Sequence, residues 1–183
     1  MKGGERGSLS FWGVYTVWYR NYRVFIQSFW INCLAPMTEP LVYLLGFGYG
    51  LMPIIGDVEY YGIKLPYLEF IAPGMIGVGV LFQSFFEGAF GAFTRFWYQR
   101  LCSVTLCGPV TFLEVFLGEW LWAASRGTLS GLFTGVVAAS LGAYSFIDLI
   151  ISLPIIIIGA LVFSGLGVFT AAYVKKYDQI NIP

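Results

Sequence analysis

The sequence has no histidine, few charged residues and only three cysteines. Charged residues make up 11% of its 183 residues, whereas globular proteins carry about 25%. Without histidine, the chain lacks the usual general base at neutral pH and the commonest metal ligand. The cysteines are odd in number, and Cys102 and Cys107 have no histidine or third cysteine beside them. We therefore expect reduced thiols rather than a disulfide framework or a zinc site.

Sequence motifs for catalysis are also missing. There is no G-x-x-x-x-G-K-[ST] loop to bind a nucleotide, and the acidic residues are scattered along the chain. Clusters of basic residues of the kind that bind nucleic acid are absent. We therefore predict a chain without enzymatic activity and without a cofactor, metal or nucleic acid of its own. Energy for any transport must then come from another subunit or from an ion gradient.

The sequence is rich in apolar residues, at 58% of the chain. A soluble domain of this size cannot bury so much apolar surface, so we predict an all-α integral membrane protein with lipid as its solvent. One membrane domain, 1–183, is expected to hold an N-terminal interfacial helix and four membrane spans. The interfacial helix is placed at 8–22, and the spans at 25–52, 68–93, 113–141 and 149–174. Residues 53–66 are predicted as a loop.

The N-terminal segment 8–22 has the pattern of a helix that lies in the headgroup plane. Its aromatic residues recur at helical spacing, at Phe11, Tyr15, Trp18 and Tyr22. Arg20 falls on the opposite, thin basic face. Ser8 or Ser10 is expected to cap the start of the helix. Two roles remain open, an anchor that precedes the first span or a helix that moves with a transporter and gates it.

Charged side chains inside the predicted spans are the costly residues of this chain. These residues are Glu39, Glu87, Glu119 and Arg126. Placing an arginine at a helix centre costs about 2.5–3.5 kcal/mol, so Arg126 needs partners. We expect Trp122, one turn earlier, to offer its ring to the cation, and Glu39 or Glu87 to pair with it. The set either clamps the helices together or lines a polar pathway or gate.

The polar segment 94–111 separates the second predicted span from the third. It combines aromatic, aliphatic and basic residues with a Gly-Pro stop, at Arg95, Phe96, Trp97, Arg100, Leu101 and Pro109. These side chains either rest at the membrane interface or insert into a cleft on a soluble partner, with the aromatics and arginines as anchors.

Lysine and arginine are distributed unevenly between the two sides of the predicted spans. One side holds Lys2, Arg6, Arg20, Arg23, Arg95, Arg100, Lys175 and Lys176. The other side holds Lys64 alone. By the positive-inside rule, the N-terminus and segment 94–111 are predicted to be cytoplasmic.

Several short stretches carry a resemblance to a known family. They are EPL at 39–41, GFGYG at 46–50, YLEFIAPG at 67–74, GPV at 108–110 and GEWLWAA at 118–124. On these residues the chain resembles the membrane subunit of type-2 ABC exporters, most nearly the NodJ-like export permeases for nodulation factors, which are lipo-oligosaccharides.

The resemblance implies a homodimer of permeases in the bacterial inner membrane, each carrying a cytoplasmic ATPase that binds ATP and magnesium. It implies that residues 95–109 form the coupling helix on the ATPase and that residues 11–22 pack beside it as a gate helix. The exported molecule would be amphipathic, such as a lipo-oligosaccharide, a lipid-linked glycan or a drug.

The family has six membrane segments, whereas four are predicted here before the end at Pro183. We therefore expect either a fragment or a truncated gene product. Two other interpretations are a secondary transporter or channel that uses Glu39, Glu87, Glu119 and Arg126 as an ion relay, and an inactive membrane fragment or scaffold.

Overall fold

The structure, a computed structural model, describes residues 9–30, 32, 38, 42–60, 62–143 and 145–174. Glu39 and the C-terminal lysines of the predicted cytoplasmic face lie outside the described residues, and so does much of the predicted first span, 25–52.

The described chain is helical apart from one β-hairpin. Its elements are α1 (Phe11–Gln27), α2 (Leu44–Ile55), β1 (Asp57–Tyr60), β2 (Ile63–Pro66), α3 (Tyr67–Tyr98), α4 (Leu101–Leu106), α5 (Phe112–Ser140) and α6 (Phe146–Tyr173). Three stretches are wound as wide π-helical turns: Leu44–Tyr49 in α2, and Glu87–Gly91 and Thr94–Tyr98 in α3.

Two features differ from the sequence-based expectations. Helix α1 continues to Gln27, five residues beyond the expected 22, so Phe25 belongs to it rather than to a separate span. The expected loop 53–66 instead holds an antiparallel hairpin, in which Glu59 faces Lys64. Its turn is possible because Gly62 adopts a left-handed conformation, with φ at +78°.

Segment 94–111 is not an open turn. Helix α3 runs on to Tyr98, and the short helix α4 follows almost at once. The change of direction falls at Arg100, which is left-handed with φ at 49°. The Gly108-Pro109 pair lies in the short link before α5, where a proline prevents α4 from continuing.

Helices α3, α5 and α6 pack against one another along their lengths, and α1 lies against the first half of α5. An apolar cluster of Ile76, Val80, Ala124, Leu149, Ile156 and Ala160 joins the three long helices. Helices α3 and α6 approach each other closely at Gly88 and Gly167. A Cβ added to Gly167 would lie 2.5 Å from the carbonyl oxygen of Phe85 and 3.1 Å from the Cα of Gly88.

Two of the described helices, Tyr67–Tyr98 and Phe146–Tyr173, are long and apolar enough to cross a membrane. In α6 only 17% of the most apolar window is buried within the protein. Such an exposed apolar surface is suited to contact with lipid. Helix α5 is also long, at 29 residues, but it carries Glu114, Glu119 and Arg126.

Candidate functional site

Helix α1 packs on α5 through its small and aliphatic residues rather than its aromatic face. Val14 and Val17 are buried, and Gly118 of α5 admits Val17, because a Cβ on Gly118 would lie 2.6 Å from the Cβ of Val17. The predicted aromatic face is turned away from the protein, with Phe11 83% exposed. The exposed part of this face is Phe11, Trp12, Tyr15, Tyr19 and Tyr22.

Trp18 departs from this pattern and lies half-buried between α1 and α5. Its Nε1 donates to Ser125 Oγ at 3.1 Å, and its ring meets that of Trp122 edge-on. Trp18 is therefore the member of the predicted aromatic face that joins α1 to the body of the protein.

The start of α1 is held by a carboxylate from α5, which the sequence analysis did not single out. Ser10 stands at the N-cap position, but its side chain makes no capping hydrogen bond among the described residues, so the expectation is wrong for Ser10, and Ser8 lies outside the described residues. Instead the Ser10 backbone N–H donates to Glu114 Oε1 at 2.6 Å. The Thr111 backbone N–H donates to Glu114 Oε2 at 2.7 Å, and the Thr111 hydroxyl accepts from the Glu114 backbone N–H.

Glu114 thus serves the first turns of two helices at once. Within α5 it completes a capping box, the T-x-x-E pattern that is visible in the sequence at 111–114. Gly13 provides the room, since a Cβ there would lie 2.6 Å from the Glu114 carboxyl carbon. The residue is 2% exposed, so α1 and α5 share one buried carboxylate at their starts.

Five charged residues of α1, α3 and α5 form a chain of ion pairs in which positive and negative side chains alternate. We call them the charge cluster: Arg20, Glu119, Arg95, Glu87 and Arg126. Every member was a predicted site residue, but the meeting of Arg20 and Arg95 with Glu119 in one site was not predicted from the sequence.

Glu119 is the centre of the charge cluster and is fully buried. Its Oε1 accepts from Arg20 Nη2 at 2.7 Å, and its Oε2 accepts from Arg95 Nε at 2.7 Å. A buried carboxylate that keeps its charge needs this kind of complete pairing. Arg20 was expected on the thin basic face of α1 opposite the aromatic face, and the structure turns that face inward, toward α5.

Glu87 joins the remaining cations. Its Oε1 accepts from Arg95 Nη1 and from Trp122 Nε1, both at 3.0 Å. Its Oε2 lies 3.9 Å from Arg126 Nε, so the predicted pairing of Arg126 with Glu87 is present in the structure.

The expected role of Trp122 is wrong. Its indole donates to Glu87, and the ring that faces Arg126 is that of Phe25, 4.7 Å from the guanidinium carbon. Arg126 also donates from Nη2 to the backbone carbonyl of Asn32 at 3.2 Å. The contact of Phe25 with Arg126 was not predicted, because Phe25 was expected to lie in a separate span.

Arg20 also connects the charge cluster to α4. Its Nη1 donates to the Thr105 hydroxyl at 3.3 Å. Burial lowers the pKa of Arg20, although the neighbouring Glu119 carboxylate opposes that change. Cys102, one turn before Thr105, has its pKa raised first by burial and then by Glu119. The Glu119 carboxylate therefore influences the pKa of a group on α1, Arg20, and of a group on α4, Cys102.

The residues predicted to contact a soluble partner divide into two groups. Arg95 and Phe96 face inward, Arg95 into the charge cluster and Phe96 into an apolar cluster with α6. Leu101 is half-buried. Trp97, Arg100 and Pro109 are exposed, as are Tyr98 and Val104. The outward group, with α4, forms a protruding surface between α3 and α5.

A cavity of about 510 Å³ opens beside the charge cluster. Arg20, Asn21 and Phe25 of α1 form one wall, and Glu87 and Arg95 of α3 form another. Within the described part of the chain, no group of three or more His, Cys, Asp or Glu side chains is placed to hold a metal ion.

The chain is similar to several curated proteins. It is 34% identical to Nodulation protein J of Rhizobium meliloti (strain 1021) over 167 residues, which are 91% of this chain and 62% of that protein. It is 35% identical to Nodulation protein J of Rhizobium leguminosarum bv. trifolii over 88% of this chain and 60% of that protein. A more distant relative is the Inner membrane transport permease YadH of Escherichia coli (strain K12), at 23% identity over 91% of this chain and 63% of the relative.

The chain thus spans about three fifths of the length of the curated relatives it matches, at 62% and 60% for the two nodulation proteins. No family model matches it, and no solved structure matches it significantly.

Proposed function

We propose that this chain, which belongs to the family of Nodulation protein J and the type-2 ABC export permeases, forms the membrane part of an ATP-driven exporter. In this proposal a separate cytoplasmic ATPase binds ATP and magnesium and hydrolyses the nucleotide. This chain supplies the helices through which the resulting movement reaches the substrate.

The observation that carries the proposal is the bonding of α4. This helix protrudes between α3 and α5, and Val104 on its outer side is 67% exposed. Its Thr105 hydroxyl accepts from Arg20, and the same guanidinium pairs with Glu119 of α5. A force applied to α4 therefore reaches α1 and α5 through a single side chain.

The exposed side chains around α4 supply a docking surface for the ATPase. Trp97, Tyr98 and Arg100 flank the helix, and aromatic and arginine side chains are the usual anchors of protein interfaces. The inward Arg95 lies only two residues before Trp97 and is bonded to both glutamates of the charge cluster. Movement of the docked surface would thus shift α3 as well.

We propose that α1 acts as the gate helix. Its exposed aromatic face suits the headgroup region of the inner membrane, with its N-terminus on the cytoplasmic side. Its inner face follows α5, because Glu114 and Glu119 bind it near its start and its middle. A second permease copy would complete the pathway, and the substrate would be amphipathic, such as a lipo-oligosaccharide, a lipid-linked glycan or a drug.

The secondary-transporter alternative has less support. A proton relay needs carboxylates that can exchange protons with water. Glu119 has each of its oxygens bonded to an arginine, and Glu87 accepts from Arg95 and Trp122. These contacts engage both carboxylates with arginines, and they fit a mechanical connection between helices better than a proton pathway.

Photo-cross-linking tests where the ATPase docks. A benzoylphenylalanine replaces Val104 in the full chain, which is produced in its native host. We expect a cross-link to the protein that hydrolyses ATP. The matched control is the same probe at Ile54, which is 79% exposed. Ile54 lies before the start of α3, whereas Val104 lies beyond the end of α3.

Transport itself is tested with Arg20→Gln in the same system. We expect the cross-link at residue 104 to remain while ATP-dependent export falls, because docking is retained and the connection to Glu119 is lost. A cross-link from residue 54 and not from 104 would contradict the proposal. So would export that survives loss of ATP but stops when the proton gradient is dissipated.

A further inference from the structure

The cavity beside the charge cluster has more hydrogen-bond donors than acceptors. Its walls carry three arginines, Arg20, Arg95 and Arg126, and Glu87 as the counter-charge. Glu119 lies behind Arg20 and Arg95 and brings the number of carboxylates to two. The site therefore has one positive charge in excess.

Three of the four carboxylate oxygens at this site already accept hydrogen bonds, and the fourth, Glu87 Oε2, lies 3.9 Å from Arg126 Nε. Both oxygens of Glu119 accept from arginines, and Glu87 Oε1 accepts from Arg95 and Trp122. The amide oxygen of Asn21 accepts from Arg20.

Two donors at the cavity have no partner within the described chain. They are Arg95 Nη2 and Asn21 Nδ2, and both are buried. A buried donor without a partner costs about 1–3 kcal/mol, more when it is charged. Both residues line the same cavity from different helices, so a modest rotation of each side chain would bring the two donors to one ligand with several acceptor atoms.

The position of the cavity indicates which chemical class of ligand it can bind. It lies where α3 ends, with Gln99 and Leu101 in its wall, next to a helix whose aromatic residues face outward. That is the level at which the headgroup phosphates of a bilayer lie against an interfacial helix. At about 510 Å³ the cavity is large enough for a phosphate with its adjoining groups.

We propose that this cavity binds one anionic phosphate group, held by Arg95 and Asn21 and neutralising the excess charge of the three arginines. The phosphate belongs either to the headgroup of an anionic lipid or to a free phosphate. The site needs neither ATP nor the ATPase, so it stands or falls separately from the export function.

Binding is tested on the full purified chain with two probes. One is phosphatidylglycerol, offered in mixed micelles against phosphatidylcholine, and the other is inorganic phosphate. Native mass spectrometry counts bound lipid, and the thermal unfolding midpoint reports either ligand. Retention of phosphatidylglycerol alone identifies a lipid headgroup, whereas stabilisation by inorganic phosphate at matched ionic strength identifies a free phosphate.

Asn21→Asp is the informative variant, because it keeps the oxygen that accepts from Arg20, removes the Nδ2 donor and adds a negative charge. We expect its affinity for the probe to fall at least about tenfold, the effect of one hydrogen bond to a charged group. Gln27→Glu adds the same charge at an exposed position of α1 and should bind as the wild type does. Arg95→Lys keeps the charge without Nη2 and provides a second test if Asn21→Asp does not fold.

The proposal is overturned if neither probe binds the wild-type chain. It is also overturned if Asn21→Asp and Arg95→Lys, both folded, bind the probe as tightly as Gln27→Glu does.

Discussion

The two halves of α5 are held by different forces. Residues 112–126 bury Glu114, Glu119 and Trp122, and they meet α1 and α3 through ion pairs and directional hydrogen bonds. The buried residues of 127–140 are small: Gly127, Ser130, Gly131, Thr134, Gly135 and Ala138. There the neighbouring helices come close, and Gly131 and Gly135 admit Val80 and Leu149.

This difference indicates which half can change its arrangement. Ion pairs that share carboxylates have discrete alternatives, since Glu87 and Glu119 are each within reach of two arginines. Closely packed glycine contacts have no alternative, because any shift opens a void or creates a clash. In the proposed exporter, the charged half would transmit movement and the small-residue half would provide the fixed support.

Breaking the centre of the charged half should have the largest effect. Glu119→Leu leaves Arg20 and Arg95 buried without their shared carboxylate, and loss of one partner of a buried pair costs about 3–5 kcal/mol. We expect a sharp loss of monodisperse protein and a lower thermal midpoint for what remains. Glu59→Leu in the exposed hairpin is the control. Wild-type stability of Glu119→Leu would show that the charge cluster does not hold the helices together.

The fixed half should respond to added volume instead of lost charge. Gly167→Ala places a methyl group 2.5 Å from the Phe85 carbonyl oxygen, so α3 and α6 must separate. Overpacking of this kind costs about 1–3 kcal/mol. The control Gly77→Ala, with nothing within 4 Å of the added Cβ, should be neutral or slightly stabilising. Thermal unfolding in detergent compares the two, and equal midpoints would contradict the close contact.

The carboxylate shared by two helices gives an intermediate effect. Glu114→Ala removes acceptors from Ser10 and Thr111, and loss of a helix cap costs about 0.5–2 kcal/mol. We expect faster hydrogen exchange in the first turn of α1 as well as in that of α5. The control Thr111→Ala removes the hydroxyl only and should affect α5 alone. Exchange in α1 that is unchanged by Glu114→Ala would mean that its start is held by other contacts.

The long apolar helices could be predicted from the sequence because each depends on its own residues. Helix α6, Phe146–Tyr173, starts three residues before the predicted 149–174 and ends one residue earlier. Helix α5, Phe112–Ser140, differs from the predicted 113–141 by one residue at each end. The uncharged run 149–174 is long enough to span a bilayer and needs no knowledge of its neighbours, and the bounds of the charged helix α5 then follow from the turn that must precede α6. That these helices cross a membrane remains a prediction.

The ion pairs could not be predicted in the same way, because they depend on how helices rotate against each other. Arg20 and Glu119 are 99 residues apart, and their contact exists because Val17 fits against Gly118 and sets the position of α1. The pattern of α1 indicated which face is aromatic, but not that the opposite face enters the protein. By contrast, the capping box at 111–114 was present in the sequence and could have pointed to Glu114.

The smallest expected effect is a difference in reactivity between two thiols, those of Cys102 and Cys107. The pKa of Cys102 depends on Glu119 and Arg20 of the charge cluster. Cys102 is half-buried and Cys107 is exposed. Burial, and then Glu119, raise the pKa of Cys102, so less of it is thiolate near neutral pH and a maleimide should label it more slowly than Cys107. The two rates, measured in variants that each keep one of these thiols as the only cysteine, should converge as the pH rises and Cys102 ionises.

The dependence on Arg20 makes this measurement specific to the charge cluster. Arg20 opposes the rise in the pKa of Cys102, so Arg20→Gln should raise that pKa further and slow the labelling of Cys102 again. Cys107 in the same background is the control and should react at an unchanged rate. Faster labelling of Cys102 in Arg20→Gln would mean that removing the guanidinium opens α4 to water. In that case Arg20 holds α4 in place, and its charge has the lesser influence on the thiol.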